Sequence, residues 1–404
     1  MIKRTLQELC LNITDGKHGD CENEENSGYY FISCKDIFDG QINYKNARQI
    51  TKADFEETHK RTMLEVDDIL LTNSGTIGRM AFVTDREATT KTTFQKSVAI
   101  IKPDKQKVLP RYLYYQLQNC VPQFINSSNG SAQKNLLLST MRTFQIEIEE
   151  NREKQEKIAN TLSAYDDLIE NNQKQIKLLE EAAQRLYKEW FVDLRFPGHE
   201  NTKIVDGVPE GWKKNCAEKF FEITIGKTPP RTEKRCFTTG KNGIPWVSIA
   251  DMGNSGMFVL NTAENLTDDA IKQYNVKVIP KNAVLLSFKL TVGRVAIAPN
   301  DICTNEAIAH FKGRRECERE YTYFYLKNFH YDELGSTSSI SKAVNSKIIK
   351  AMPFIMPSEK LLKEYSSKTK DIFDLIICKQ KMDNNLKIAR DRILHKLMSG
   401  EVEV

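Results

Sequence analysis

Between Gly130 and Pro197 the chain contains neither glycine nor proline, and its apolar residues recur at alternating steps of four and three. The positions are Ile158, Leu162, Tyr165, Ile169, Asn172, Ile176, Leu179, Ala183, Leu186 and Trp190, and only Asn172 interrupts the stripe. Glu, Lys, Gln and Asp fill the opposite face. This is a heptad seam, and it predicts a long α-helix across residues 151–197 that requires a partner helix. No residue in the stretch forces the backbone out of the helix. At roughly 1.5 Å per residue, some forty residues make a rod of about 60 Å.

The chain supplies a candidate partner. Ser358 to Ser399 is again free of glycine and proline, with apolar residues Leu362, Tyr365, Ile372, Ile376, Leu386, Ile393 and Leu397. A shift of 207 lays Tyr165 on Ile372, Leu179 on Leu386, Leu186 on Ile393 and Trp190 on Leu397. The same shift aligns Asn151 with Ser358, two good N-cap residues. Pro197-Gly198 and Gly400 are the matching stops. The second seam is less regular, because Lys379, Asp383 and Arg390 fall on it. Burying one seam side chain contributes roughly 1.5–3 kcal/mol, so the gross driving force is ample. An intermolecular coiled coil is the alternative. Asn172 either fixes the register from a buried position or lies in a wet patch; its polar counterpart Lys379 favours the wet patch.

Internal similarity extends beyond the helices. Phe31-Ile-Ser-Cys-Lys-Asp-Ile37 matches Trp246-Val-Ser-Ile-Ala-Asp-Met252 at a shift of 215, as does Ile69–Phe82 with Val284–Ile297. Thr14-Asp-Gly-Lys17 matches Thr224-Ile-Gly-Lys227 at 210, and Lys134 falls on Lys342 at 208. The chain therefore reads as module, long helix, module, long helix, with limits at 1–150, 151–197, 198–356 and 357–404. Each module has a mixed α/β (α+β) pattern. Ser97–Ile101 and Val276–Ile279 read as strands, and Tyr112–Leu117 and Tyr321–Leu326 as short aromatic helices. The Leu-Leu-[Thr/Ser]…Gly-Arg-x-Ala unit reads as strand, tight glycine turn, strand.

At 404 residues the chain exceeds one ordinary core. No apolar run approaches a membrane span and the N-terminus lacks a signal-peptide pattern. The nine cysteines show no zinc spacing, so they are expected to be reduced and structural in a cytoplasmic protein. The net charge of +5 is unevenly spread: −1 over 1–150, −1 over 151–197, +5 over 198–356 and +2 over 357–404. Charge alone thus permits nucleic-acid binding in the third segment and gives no support to it in the first.

Taken together, the Pro209-Glu-Gly-Trp212 entry, the repeated Ser-x-x-Asp strand, the Gly-Arg turns and the segment Lys154-Gln-Glu-Lys-Ile-Ala159 … Leu178–Phe191 resemble the specificity (S) subunit of type I restriction–modification systems. The resemblance spans the whole chain in family order. It implies two target recognition domains, each reading half of a bipartite site on double-stranded DNA, with two antiparallel helices as spacers. It also implies two methyltransferase (M) subunits and two restriction/motor (R) subunits as partners. S-adenosylmethionine, ATP and Mg would then reside on those partners, with no cofactor in this chain.

The residues themselves offer no chemistry. There is no phosphate-binding Gly-x4-Gly-Lys-[Ser/Thr] loop, and the one Pro-Pro, Thr228-Pro-Pro-Arg231, lacks the Asn- or Asp-Pro-Pro-aromatic frame of adenine methyltransferases. A non-catalytic DNA-reading scaffold is the expectation. The two Gly-Arg turns either set Arg79 and Arg294 against a phosphate or pair them with a surface carboxylate, and polar loop segments that differ between modules are the candidates for base contact, with Arg or Lys suited to guanine and Asn or Gln to adenine. In module one the candidates of both kinds are Lys17, His18, Asn73, Ser74, Thr76, Arg79, Lys91, Thr92, Gln95, Lys96, Asn129 and Lys134. In module two they are Lys227, Arg231, Lys234, Arg235, Lys241, Asn242, Lys289, Thr291, Arg294, Ser338 and Lys342. A specificity chain for another methyltransferase or restriction type, and an autonomous coiled-coil adaptor, are the rival readings.

Overall fold

The computed structural model describes every residue except 86, 129–133, 241, 335–343 and 404. The chain divides into two compact units, residues 1–167 with 387–404 and residues 168–386. Their folds repeat each other. In the first, a four-stranded antiparallel sheet runs in the order Cys10–Asp15, Val98–Pro103, Ile69–Thr72, Met80–Phe82. In the second, Glu222–Ile225, Ile308–Lys312, Val284–Ser287 and Val295–Ile297 take the same order. A smaller sheet accompanies each, containing one parallel pair: Tyr30–Ile32 beside Thr92–Phe94, and Trp246–Val247 beside Cys303–Thr304.

Sequence pattern explains these elements. Ile69–Thr72 and Val284–Ser287 are buried at every residue, as short apolar runs inside a sheet should be. The peripheral strand Gln145–Ile148 instead alternates exposed and buried residues. Val276–Ile279 is a correction to the sequence reading. Only Ile279 forms a bridge, to Ile302, and Val278 faces solvent; Pro280, the next residue, lacks the N–H needed to continue a ladder.

The central helix runs from Arg152 to Tyr187 and closes with a π-helical turn at Lys188–Val192; the C-terminal helix runs from Glu359 to Ser399. Asn151 Oδ1 accepts hydrogen bonds from the amides of Glu153 and Lys154 at 2.9 and 3.2 Å, and Ser358 Oγ accepts one from Leu361, so both predicted caps form. Within the first unit Ile158, Ala159 and Leu162 share a core with Leu394, Leu397 and Met398, and Arg390 donates to Asp166 at 2.7 Å. Within the second, Tyr365 reaches the Ala183 carbonyl and Lys379 reaches Asn172. Rising numbers on one helix meet falling numbers on the other, so the helices pair antiparallel in each unit.

Of the seam residues, Ile158, Leu162, Ile169, Trp190, Leu362, Tyr365, Ile376 and Leu397 are buried; Tyr165, Ile176, Leu179, Leu186, Ile372, Leu386 and Ile393 are half-buried. Phe373 and Leu394 lie deeper than their predicted neighbours Ile372 and Ile393. The C-terminal helix also covers its own module, which widens and rotates its apolar stripe: Phe373 stacks edge-on against Tyr323 and Phe324. The wet patch expected at Asn172 is absent. Its side chain is only 6% exposed, and Oδ1 accepts from Lys379 Nζ at 3.4 Å.

Gly16 and Gly226, each the residue after its strand, abut the end of the strands Thr92–Phe94 and Cys303–Thr304; a Cβ would collide with the Phe94 carbonyl in one module and with Thr304 and Asn305 in the other. At the sheet centre, His310 of module two pairs with Thr224, where module one pairs Ile100 with Thr14. The ring is 1% exposed, with Nδ1 2.9 Å from Thr224 Oγ1 and Nε2 2.6 Å from Thr304 Oγ1. Burial drives its pKa down to about 3.

All three tryptophans, Trp190, Trp212 and Trp246, belong to the second unit, so their fluorescence reports its unfolding. Gly226→Ala should lower that unfolding free energy by about 2–3 kcal/mol, the cost of overpacking a closed site; an unchanged urea midpoint refutes the packing account. His310 binds a proton more readily unfolded than folded. Its contribution to stability is therefore complete above the unfolded pKa of 6.5 and is lost as pH falls from there toward 3. The expected slope is about 1.4 kcal/mol per pH unit, and His310→Gln should flatten it.

Candidate nucleic-acid interface

One end of each four-stranded sheet carries the same three-part frame. In module one, Thr72 Oγ1 receives the Arg79 amide at 2.9 Å and donates to the Thr76 carbonyl, while the Gly78 amide donates to Thr72 O. In module two, Ser287 Oγ receives the Arg294 amide at 3.0 Å and donates to Thr291 O, and Gly293 donates to Ser287 O. The hydroxyl shared by Thr and Ser is what closes the turn. Beside it, Lys17 donates to Phe94 O and Asn73 to Ser97 O; Lys227 donates to Thr304 O and Phe288 to Ala307 O. These backbone bonds place the 16–18 loop, the 95–97 loop and the 73–79 turn together, and likewise 226–228, 305–307 and 288–294.

On that frame the side chains differ. Arg79 is exposed. Arg294 is half-buried and donates to the Ile249 carbonyl at 2.7 Å, so the two Gly-Arg turns do not present equivalent guanidinium groups. Lys17 is held by Asp54 at 2.9 Å and Glu57 at 3.1 Å, and these hydrogen bonds raise its pKa above the usual lysine value. Lys227 is exposed. His18, 60% exposed, meets Asp15 at 3.0 Å, and Arg61 also pairs with Asp15. Arg231 lies over Phe237 and Trp246, 4.2 and 4.7 Å from the ring centroids, and pairs with Glu264 at 2.6 Å.

The remaining sequence candidates fall into three groups. Thr76, Lys96, Lys134, Lys289 and Thr291 are exposed, and Ser74 and Gln95 half-exposed, on or beside these turns and loops. Asn73 and Thr92 are buried. Asn73 occupies the position of Phe288, and Thr92 Oγ1 donates to Ala88 O, so neither is presented to a groove. Lys91 stands at the opposite end of its strand from Gln95. Lys234, Arg235 and Asn242 flank the smaller sheet, with Arg235 paired to Glu233 at 3.0 Å. Asn129, Lys241, Ser338 and Lys342 lie outside the described residues.

Sequence reasoning missed several groups on this end. Glu306 is exposed, accepts from Thr228, and aligns with Lys96 at the shift of 210, so a carboxylate replaces an ammonium on the same backbone site. The Thr228 hydrogen bond lowers its pKa. Arg61 was hidden because its partner, Asp15, lies 46 residues away. Among the described residues no group of three or more His, Cys, Asp or Glu side chains could hold a metal ion, and no helix is long and apolar enough to cross a membrane.

Comparison with known proteins agrees with the repeat. The family model described as type I restriction modification DNA specificity domain matches twice, over residues 3–181 and 209–386. The MjaIX type I restriction enzyme specificity subunit of Methanocaldococcus jannaschii is 28% identical over 392 residues, covering 93% of this chain and 87% of its own. The HindI specificity subunit of Haemophilus influenzae is 24% identical over 370 residues, covering 75% and 80%. A crystal structure of a type I S subunit from M. genitalium shares the fold with a TM-score of 0.57 at 16% identity, covering 98% of this chain and 95% of that one. With both modules matched and the repeated architecture in place, this chain belongs to the family of type I restriction–modification DNA specificity subunits.

Proposed function

We propose that the two modules each read one half of a bipartite site on double-stranded DNA, and that the chain catalyses nothing itself. One observation carries this reading: the same hydrogen-bonded frame recurs at residues 72–79 and 287–294, while the side chains mounted on it differ in charge and size. A constant frame fixes register on the backbone and variable tips read different base edges. Lys96 against Glu306 is the clearest pair. A lysine suits guanine acceptors, whereas a carboxylate accepts from cytosine N4.

The proposal extends to partners. Two methyltransferase subunits dock on the scaffold, flip the target adenines and use S-adenosylmethionine; two motor–nuclease subunits join them with ATP and Mg for restriction. Phosphate contacts supply most of the affinity. With module one near neutral and its Lys17 engaged by Asp54 and Glu57, the chain alone binds DNA weakly and gains affinity with its partners.

Co-expression with its methyltransferase followed by mapping of methylated adenines should give a two-part sequence. Glu306→Gln should then alter the half read by module two and leave the other half unchanged; changes in both halves, or a continuous site, would overturn the assignment. Adding four residues to both helices, after Asp167 and after Leu386, lengthens each by roughly 6 Å. The recognised spacer should grow by about one to two base pairs with both half-sites retained, and altered half-sites refute the spacer role.

A further inference from the structure

The tip of the module-two turn holds a residue that the frame does not require. Leu290 adopts φ +62°, where its counterpart in module one, Gly75, adopts φ +78°. That left-handed region costs glycine nothing and is disfavoured for a γ-branched side chain. Leu290 is also 96% exposed, so packing offers no return for the strain. A single exposed leucine is ordinary on a protein surface. One held in a glycine conformation, fully solvated, at the apex of a rigid turn is an outlier of the kind that accumulates at functional sites.

The turn beneath it is fixed on every side. Phe288 is fully buried and donates to Ala307 O, the Ser287 hydroxyl bridges Thr291 O and the Arg294 amide, and Arg294 is tied to Ile249. The flanking Lys289 and Thr291 are exposed. The side chain therefore projects from the tip of a preorganised two-stranded hairpin, Val284–Ser287 with Val295–Ile297 at one edge of the four-stranded sheet, with a cation beside it. The major groove admits a two-stranded ribbon, and its one apolar feature is the thymine 5-methyl group.

Building on the reading that module two recognises one half-site, we propose that Leu290 is a specificity-determining residue that contacts a thymine methyl in the major groove. Module one, with Gly75 in its place, makes no such contact from its turn.

The test uses the complex of this chain with its methyltransferase and duplexes in which each thymine of the module-two half-site is replaced in turn by uracil, which removes only the methyl. At one position the wild-type complex should lose about three- to tenfold in affinity. Leu290→Gly, and Leu290→Asn as a second residue tolerant of positive φ, should lose a similar factor on thymine DNA and bind thymine and uracil duplexes equally. The tryptophan-reported melting temperature should stay unchanged or rise. The proposal is overturned if both variants still distinguish thymine from uracil, if they bind like wild type, if their loss tracks a fall in melting temperature, or if the half-site holds no thymine. An increase in 2-aminopurine fluorescence without uracil sensitivity would assign Leu290 as a wedge between base pairs and also overturns it. Failure of the two-half reading itself shows separately, as a wild-type complex with no bipartite site.

Discussion

The structure depends on how each long helix ends. A heptad seam needs a second helix, but a pair of helices this long has no reason to stop at a particular register unless something else fixes it. Here the modules do so. In the first unit Ile158 and Leu162 are buried with Tyr112, Tyr115 and Leu397; in the second, Tyr187 and Trp190 are buried with Tyr321, Phe324 and Leu362. Tyr115 donates to Asp166 at 2.6 Å, and the Gln155 side chain receives the Leu109 amide at 2.8 Å. Gln380 likewise receives the Phe258 amide at 3.1 Å in the second unit. Within either unit, sliding its helical segments by one turn against the module would unmake these specific bonds together with the aromatic packing.

Polar residues on the seam support the same conclusion. Arg390 meets Asp166, Lys379 meets Asn172, and Asp383 is buried. Replacing such groups with leucine would add apolar burial but would also permit several registers of similar energy. Buried polar pairs are a known means of selecting one register at some cost in stability. The irregularity of the second seam, which weakens it as a coiled-coil signal, is thus consistent with a pair that must hold one alignment.

Legibility followed the same division. The repeat was readable because its shifts of 215 and 210 preserve residues that close the frame: Gly16 and Gly226, Thr72 and Ser287, Gly78 and Gly293. Each answers a local demand, so identity survives in the sequence. The rotation of the C-terminal stripe toward Phe373 was not readable, because it results from packing against a module far away in sequence. Nor was the burial of Asn73, whose partner position holds Phe288; a polar residue in a turn looks solvent-exposed until the turn's inward side is known.

The candidate interface shows why that limit is general for a protein of this kind. Its scaffold is constrained by backbone hydrogen bonds, and its tips are free of those constraints, so tip residues are legible only by difference. Aligning the modules on the frame turns Lys96 and Glu306, or Gly75 and Leu290, into paired statements about what each half presents. Lys17 and Lys227 are identical in sequence yet unlike in setting, one engaged by two carboxylates and the other exposed. Identity between modules marks the frame, difference marks the reading surface, and charge has to be judged after its internal partners are subtracted.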